Sequence, residues 1–456
     1  MFCCHHHEHE PFESKVDSSH DHVTLFRNVK VFDGKSDALA EDLEVLVEGN
    51  FIKAVGPKLE AGEGARIIDG GGRTLTPGFM SMHEHIISCE SFDDMLIRPY
   101  WDEIGAKMLI RAQDLFNMGF TTVRDGGAWC LGLKRAIDDG TAIGPRILSP
   151  GAALTQTGGH GDFRLPYQNN PFFSPSSQHP EHSMLQFLGA VVRADGVPEV
   201  RRAARANLSA GGHFIKVLGG GGVASPFDPL ASFQYSMEEL KAAAEEASNF
   251  GTYATIHVHL DAAVNRAMDA GFKMVEHATV LKEDTLKRMA DEGVTWSAQC
   301  ALFLSDPDTS PAYSNETQRE KARIVYKGMM QTTEWAKKYG VKTLWGTDLI
   351  GPRKAYLELF PTEWTLRDKV FTPAENLQQA TKNGGEAVAL SGIKNPYPDG
   401  PLGVIEPGAY ADILLVNGNP LKDISILTRY EETINLIMKD GLVYKDCIST
   451  SGGHHV

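Results

Sequence analysis

Between residues 74 and 348 short apolar runs alternate with longer stretches of helical periodicity, and this alternation limits most strongly what the chain can fold into. Runs of strand character stand at 121–125, 146–149, 213–218, 253–259, 274–277, 294–297 and 343–348, and an eighth begins at Thr74 and ends in His83-Glu84-His85. Helical stretches separate most of them, for example 236–250, which opens on Ser-Met-Glu-Glu, then 261–270 and 282–292. Eight strands alternating with helices over roughly 300 residues predict a (β/α)8 TIM barrel of the α/β class. A doubly wound sheet is the rival, but no Gly-rich dinucleotide turn follows the first strand of the region.

The flanks have another texture. Short alternating runs at 23–26, 29–32, 43–47 and 51–55 turn at Asp33-Gly34 and Glu48-Gly49-Asn50, and similar runs return at 411–416, 433–438 and 442–444. Two half-sets of strands at opposite ends can close one module. The expected organisation is a composite β-sandwich domain from 23–75 plus 396–447, a barrel from 76–395, and tails at 1–22 and 448–456. Two irregular loops interrupt the barrel. One runs from Gly151 through Gly158-Gly159-His160-Gly161-Asp162 to about Gly196, and the other follows Lys216 as Gly219-Gly220-Gly221-Gly222-Val223. Both follow strands, so both are expected on the catalytic face.

Charge and composition narrow the partners. Forty-four Lys+Arg against 59 Asp+Glu leave −15, which argues against nucleic acid or an anionic membrane as partner. No apolar run approaches eighteen residues, so no transmembrane helix is expected. The first ten residues lack the basic start and apolar core of a secretory signal, and six scattered cysteines have no metal-finger or disulfide spacing. A cytoplasmic protein with reduced thiols is the expectation, the His/Cys-rich start being read as a solvated tail.

The chemistry-bearing residues sit at strand ends. His83 and His85 end the first strand, Lys216 lies on the fourth, His257 and His259 on the fifth, His277 ends the sixth and Asp348 the eighth. In a barrel all would converge on one mouth. Singly each has an ordinary reading: a buried histidine is often a satisfied core residue, and Asp348 could cap a helix. A lysine inside an apolar strand is stranger, since burying it unpaired is costly, although Asp348 could pair with it. Jointly they read as a metal centre.

With Pro77-Gly78 before His83-Glu84-His85, and with Thr121-Thr122-Val123-Arg124-Asp125, Gly158-Gly159-His160-Gly161-Asp162, Ile215-Lys216-Val217, His257-Val258-His259, Glu276-His277, Gly346-Thr347-Asp348 and Gly408-Ala409-Tyr410-Ala411-Asp412, the chain resembles the amidohydrolase superfamily. The similarity lies with the branch of imidazolonepropionase-like hydrolases, Xaa-Pro and Xaa-Arg dipeptidases and ochratoxinase, and runs from about Val29 to Tyr444. The resemblance implies two divalent metal ions and N6-carboxylation of Lys216 to a bridging carbamate; the ligand types suit zinc, and manganese, iron or cobalt fit the same shell. By the same resemblance His83, His85 and Asp348 hold one ion and His257 and His277 the other, with Lys216 shared.

The mechanism this implies is hydrolysis of an amide bond in an N-acyl amino acid, dipeptide or related carboxamide by a metal-bridging hydroxide, with Asp348 as catalytic proton shuttle. His160, His259 and Tyr235 are candidate substrate contacts, and Arg124-Asp125 is read as a structural pair below the site. The Gly220-Gly221-Gly222-Val223 segment and the Leu349-Ile350-Gly351-Pro352-Arg353 loop depart from the peptidase pattern where a substrate side chain should sit. Rival readings are a mononuclear cyclic amidohydrolase or deaminase, and a non-catalytic assembly protein on the same scaffold, which characteristically loses metal ligands. A homo-oligomer is expected by analogy with relatives.

Overall fold

The computed structural model describes residues 22–90, 94, 100–164, 184–225, 228–310, 312–313 and 315–448. The His/Cys-rich start and nearly all of both expected tails lie outside the described residues. The chain opens with β1 (Val23–Val31), β2 (Ala40–Glu48), β3 (Phe51–Gly56), β4 (Arg66–Asp69) and β5 (Thr74–Pro77). Ten strands follow: β6 (Phe79–Glu84), β7 (Phe120–Asp125), β8 (Arg146–Leu148), β9 (Ala153–Thr155), β10 (Val191–Arg193), β11 (Ile215–Leu218), β12 (Ala254–Leu260), β13 (Met274–Val280), β14 (Thr295–Ser297) and β15 (Thr343–Leu344). Three more close the chain: β16 (Ile413–Val416), β17 (Ile434–Lys439) and β18 (Leu442–Asp446).

The two ends share one sheet, in the order β18-β17-β16-β5-β1-β2-β3 with β4 beside β1. Strand β5 joins the halves, pairing with β1 in parallel and with β16 antiparallel. The apolar run that starts at Thr74 is therefore two strands rather than one. It divides at Gly78, where a Cβ would stand 2.1 Å from Thr121 Oγ1, so only a glycine lets the chain pass that close from one sheet to the next.

The eight expected barrel strands are β6, β7, β8 and β11 to β15, running parallel to their neighbours. Their ladder is not continuous. One sheet is β6-β7-β8 and the other β10-β9-β11-β12-β13-β14-β15, leaving two seams. The first arises because the third strand is interrupted: β8 pairs with β7, whereas β9, five residues further on, pairs with β11. At the second, β15 is only two residues long, and Met82 N donates across the gap to Trp345 O at 2.8 Å. Outside this seam Trp345, Trp364, Phe79, Phe120 and Phe360 pack ring on ring with centroids 4.7–6.1 Å apart. Burying each such ring contributes about 1.5–3 kcal/mol, which stabilises a junction that lacks a full ladder.

Helices cover the parallel strands. Ser236 caps the helix Met237–Asn249 in a reciprocal box with Glu239, as the Ser-Met-Glu-Glu opening suggests, and Gly271, left-handed at φ 95°, ends Asp261–Ala270. No described helix is long and apolar enough to cross a membrane. Inside the strands the side chains lie in layers. Met80, Met82, Phe214, Tyr253, Met274 and Leu344 form an apolar cluster; Arg124, Thr255 and Glu276 meet above it; His83, Lys216, His257, His277 and Asp348 come last, towards the strands' C-terminal ends. That layering fills the interior and leaves chemistry only at the mouth.

Candidate metal centre

The top layer is built by strand ends and by two strained residues. Asp348 follows β15 in a left-handed conformation, φ 57°, with its own N–H and that of Thr347 donating to His83 O at 2.9 and 3.2 Å. This fold-back places Asp348 Oδ1 3.0 Å from His85 Nε2 and 3.4 Å from His83 Nε2, and Oδ2 3.9 Å from His277 Nδ1. His277 also has a positive φ, 67°, followed by Ala278 at 43°. Strict strand alternation would send Glu276 and His277 to opposite faces. The twist at His277 brings both inward, and such strain on non-glycine residues is maintained only where surroundings enforce it.

The imidazoles are oriented from behind. The Glu276 carboxylate accepts from His83 Nδ1–H at 2.7 Å, which leaves the Nε2 lone pair facing the cluster, buried and without a hydrogen bond. Gln299 Oε1 accepts from His277 Nδ1–H at 2.8 Å, and Gln299 Nε2 donates to Ser297 Oγ at 2.9 Å. His257 Nε2 is likewise buried and has no hydrogen bond. His259 Nδ1 lies 2.9 Å from Thr279 Oγ1, with its ring stacked on His277 at 5.1 Å. Partners on the far nitrogen fix ring orientation and tautomer, as a metal-binding histidine requires.

Charge is unevenly shared. Lys216 is 2% exposed with no ion pair among the described residues, and burial pushes its ammonium down from the ordinary lysine range while Glu276 pulls the other way. Burial, with Lys216 adding to it, lowers His83 to about 4; burial lowers His259 to about 3 and holds His257 and His277 well below the usual range. These rings are neutral near pH 7. His85 differs, because Asp348 at 3.0 Å outweighs burial and raises it. Burial works against the Asp348 carboxylate, but His83, His85 and His277 hold it well below the usual range.

This donor set suits divalent metal. His83, His277 and Asp348 each offer a ligand atom within 4.8 Å of the others. Neutral imidazole nitrogens without hydrogen bonds and an ionised carboxylate, beside a buried lysine that forms no ion pair among the described residues, supply the nitrogen and oxygen lone pairs a divalent ion takes.

A family model described as the amidohydrolase family matches residues 74–443. The chain belongs to the amidohydrolase family. This amidohydrolase is 30% identical over 380 residues to an ochratoxinase of Aspergillus niger, covering 81% of its own length and 75% of the relative's. Among solved structures, a prolidase complexed with N-methylphosphonate-L-proline superposes with TM-score 0.82 at 29% identity, over 93% of this chain and all of that one. A Xaa-Pro dipeptidase with bound methionine in its active site gives TM-score 0.77 at 27% identity, over 93% and 100%. The amidohydrolase is accordingly a hydrolase with the barrel and β-sandwich architecture of its relatives.

Of the remaining expected residues, His160 reaches the cluster, whereas Tyr235 lies beside Asp195, Glu199 and Glu239. His160 stacks on His257 with ring centroids 4.2 Å apart and planes 15° from parallel. Its Nδ1 lies 2.8 Å from Ser225 Oγ and 3.4 Å from Asp228 Oδ2, and its backbone N–H donates to Gln234 at 2.8 Å. The described start of the first irregular loop is thus joined through His160 to the described residues after Lys216. Lys321, from the helix Glu316–Tyr339, ties the latter down by donating to the carbonyls of Gly222, Ser225 and Asp228. Tyr235 is left-handed, φ 64°, and its buried hydroxyl has no hydrogen bond.

Arg124 and Asp125 are not a pair. Arg124 donates to both Glu276 oxygens, at 2.7 and 2.9 Å, while Asp125 accepts from the backbone N–H groups of Ile86 and Gly127. As strand neighbours they face opposite ways, so adjacency in sequence separates them. Sequence reasoning also missed the roles of Glu276 and Gln299, and the wall made by Phe303, edge-on to His259 and His277 at 5.3 and 5.6 Å. An acid inside the apolar run 274–277 was the available signal for Glu276. Nothing local marked Gln299 or Phe303.

Proposed function

We propose that this amidohydrolase cleaves an amide bond in an N-acyl amino acid, a dipeptide or a related carboxamide, using two divalent ions, zinc by preference, held by His83, His85, Lys216, His257, His277 and Asp348. The supporting observation is Lys216, buried with no ion pair among the described residues and beside rings whose Nε2 atoms make no hydrogen bond there. As a carbamate its charge would reverse and offset the dications, whereas an ammonium there would repel them. The relatives' names, ochratoxinase, prolidase and Xaa-Pro dipeptidase, fit amide or peptide substrates.

When bound, the metal supplies water acidified towards a pKa of about 7 and polarises a carbonyl oxygen. The Asp348 carboxylate, ionised near neutrality, takes a proton at Oδ1 or Oδ2 and returns it to the leaving nitrogen. His160 keeps Nδ1 engaged with Ser225 and leaves Nε2 for substrate, and His259 and Tyr235 are the further substrate contacts in this reading.

Metal analysis tests the reading. About two ions per chain, lost on Lys216→Ala, is the expected result; about one, unaffected by the substitution, would overturn the carbamate centre. One observation favours that second reading: His83, His277 and Asp348 already converge on a single point. A panel of N-acyl amino acids and dipeptides tried on the metal-loaded enzyme identifies the substrate.

A further inference from the structure

We infer that Glu84, the residue between the two strand-end histidines, is a positioning residue that holds Asp348 in place through Thr347. The inference rests on the proposed role of Asp348. Glu84 is 1% exposed and its carboxyl serves three elements. Oε1 accepts from Ser81 Oγ at 2.5 Å and from Thr347 Oγ1 at 2.7 Å, with Thr347 N at 3.3 Å; Oε2 accepts from Tyr356 Oη at 2.9 Å. Tyr356 belongs to the short helix Arg353–Leu359, just beyond the Leu349–Arg353 loop.

The need for such an anchor follows from the seam. The ladder of β15 ends at Leu344, so residues 345–348 reach the mouth outside a regular ladder, tied to β6 by separate backbone bonds from Met82 N to Trp345 O and from Thr347 N and Asp348 N to His83 O. A Cβ at Gly346 would lie 2.7 Å from His83 N, so the segment is pressed against β6. Asp348 then turns left-handed, which a β-ladder would not enforce. Two backbone bonds to His83 O and the Glu84–Thr347 hydrogen bonds are what hold it.

The loop beyond is gripped in the same manner. Arg111 lies 3.5 Å over the Tyr356 ring and donates to Gly351 O at 2.7 Å, and Arg353 donates to both Asp114 oxygens at 2.6 and 2.8 Å. Arg111 and Asp114 both come from the helix Trp101–Asn117. Glu84 thus joins the strand that ends in His83 and His85 to the residue beside Asp348 and to this clamped loop. A displacement of about 1 Å in a reacting group is enough to cost about a hundredfold in rate.

The test compares Thr347→Val, Glu84→Ala and Glu84→Gln with the unaltered enzyme in two assays: zinc titration of the metal-stripped protein against a chelator, and kcat and KM on the substrate found by the panel. Thr347→Val and Glu84→Ala should lower kcat by about 10–100-fold with KM little changed, and weaken one zinc equivalent by at least about tenfold while sparing the other. Glu84→Gln keeps an acceptor oxygen and should recover most of both. Variants that match the unaltered enzyme in kcat and in every zinc affinity, losing only thermal stability, would overturn the inference, as would a change confined to KM. Thr347→Val decides the matter if Glu84→Ala does not fold. Should the unaltered enzyme bind one zinc, the two-metal reading falls, and Glu84 is judged on whether that one ion is weakened; no metal and no amide hydrolysis would overturn both.

Discussion

Replacing Glu276 by Gln tests the claim that the layer below the metal centre is an electrostatic support rather than filler. Glu276 Oε2 accepts from His83 Nδ1 at 2.7 Å and Arg124 Nη2 at 2.9 Å; Oε1 accepts from Arg124 Nη2 at 2.7 Å and Thr255 Oγ1 at 2.5 Å. Glutamine keeps the shape but carries one NH2, and in either orientation that NH2 confronts an Arg124 N–H. The threonine hydroxyl can rotate to accept; the guanidinium cannot. Arg124 is 2% exposed and Glu276 is its sole ion-pair partner among the described residues, so the substitution leaves a buried, uncompensated cation. Such a break costs about 3–5 kcal/mol.

The expected outcome, in urea unfolding of the metal-stripped protein, is a loss of that size. The double variant Glu276→Gln, Arg124→Met should recover part of it, because no orphan charge remains. Zinc affinity should fall by about 10–100-fold in both, since His83 has lost the carboxylate that sets its tautomer. A Glu276→Gln protein within about 1 kcal/mol of the unaltered one, or a double variant no better than the single, would refute the reasoning.

Three further outcomes are expected. Asp348→Asn should lower kcat by about 10²–10⁴-fold while metal and substrate still bind, and a near-normal kcat would put the proton transfer elsewhere. Gly222→Ala places a Cβ 1.9 Å from the His160 ring, so kcat/KM should drop by about a hundredfold with metal content unchanged; an unchanged kcat/KM removes His160 from substrate contact. His213 is buried, with Nδ1 3.0 Å from both the N and the O of Ser149; burial lowers it to about 4 from the ordinary 6.5. The unfolded chain therefore takes up this proton first as pH falls, so the stability is complete above about pH 6.5 and lost towards pH 4. That loss is about 3 kcal/mol. Unfolding free energies of the metal-stripped protein at pH 7 and pH 4.5 should differ less in His213→Gln, and an identical pH dependence would contradict the assignment.

Legibility in the sequence followed the range of the forces involved. Strand and helix periods are set within a few residues, so the eight barrel strands, the capping box at Ser236 and the shared sheet of the two chain ends could be read without coordinates. Metal-type side chains at successive strand ends could be read as one group because parallel strands bring equivalent ends to one mouth.

What no local pattern encodes is which atoms meet across the barrel. Adjacency suggested Arg124 with Asp125, but alternation turns them apart and tertiary packing gives Arg124 to Glu276, 152 residues away. The left-handed turns at His277 and Asp348 are unfavourable for those residues in isolation, so only contacts made after folding could impose them. The union of the His160 loop with the Gly222–Asp228 segment, and the pinning of Asp348 beside a two-residue strand, likewise depend on long-range hydrogen bonds. By itself, then, the sequence determined the fold class and the kinds of side chain gathered at the mouth. Tertiary structure decided their orientation, because tautomer, strain and counter-charge are properties of partners distant in the chain.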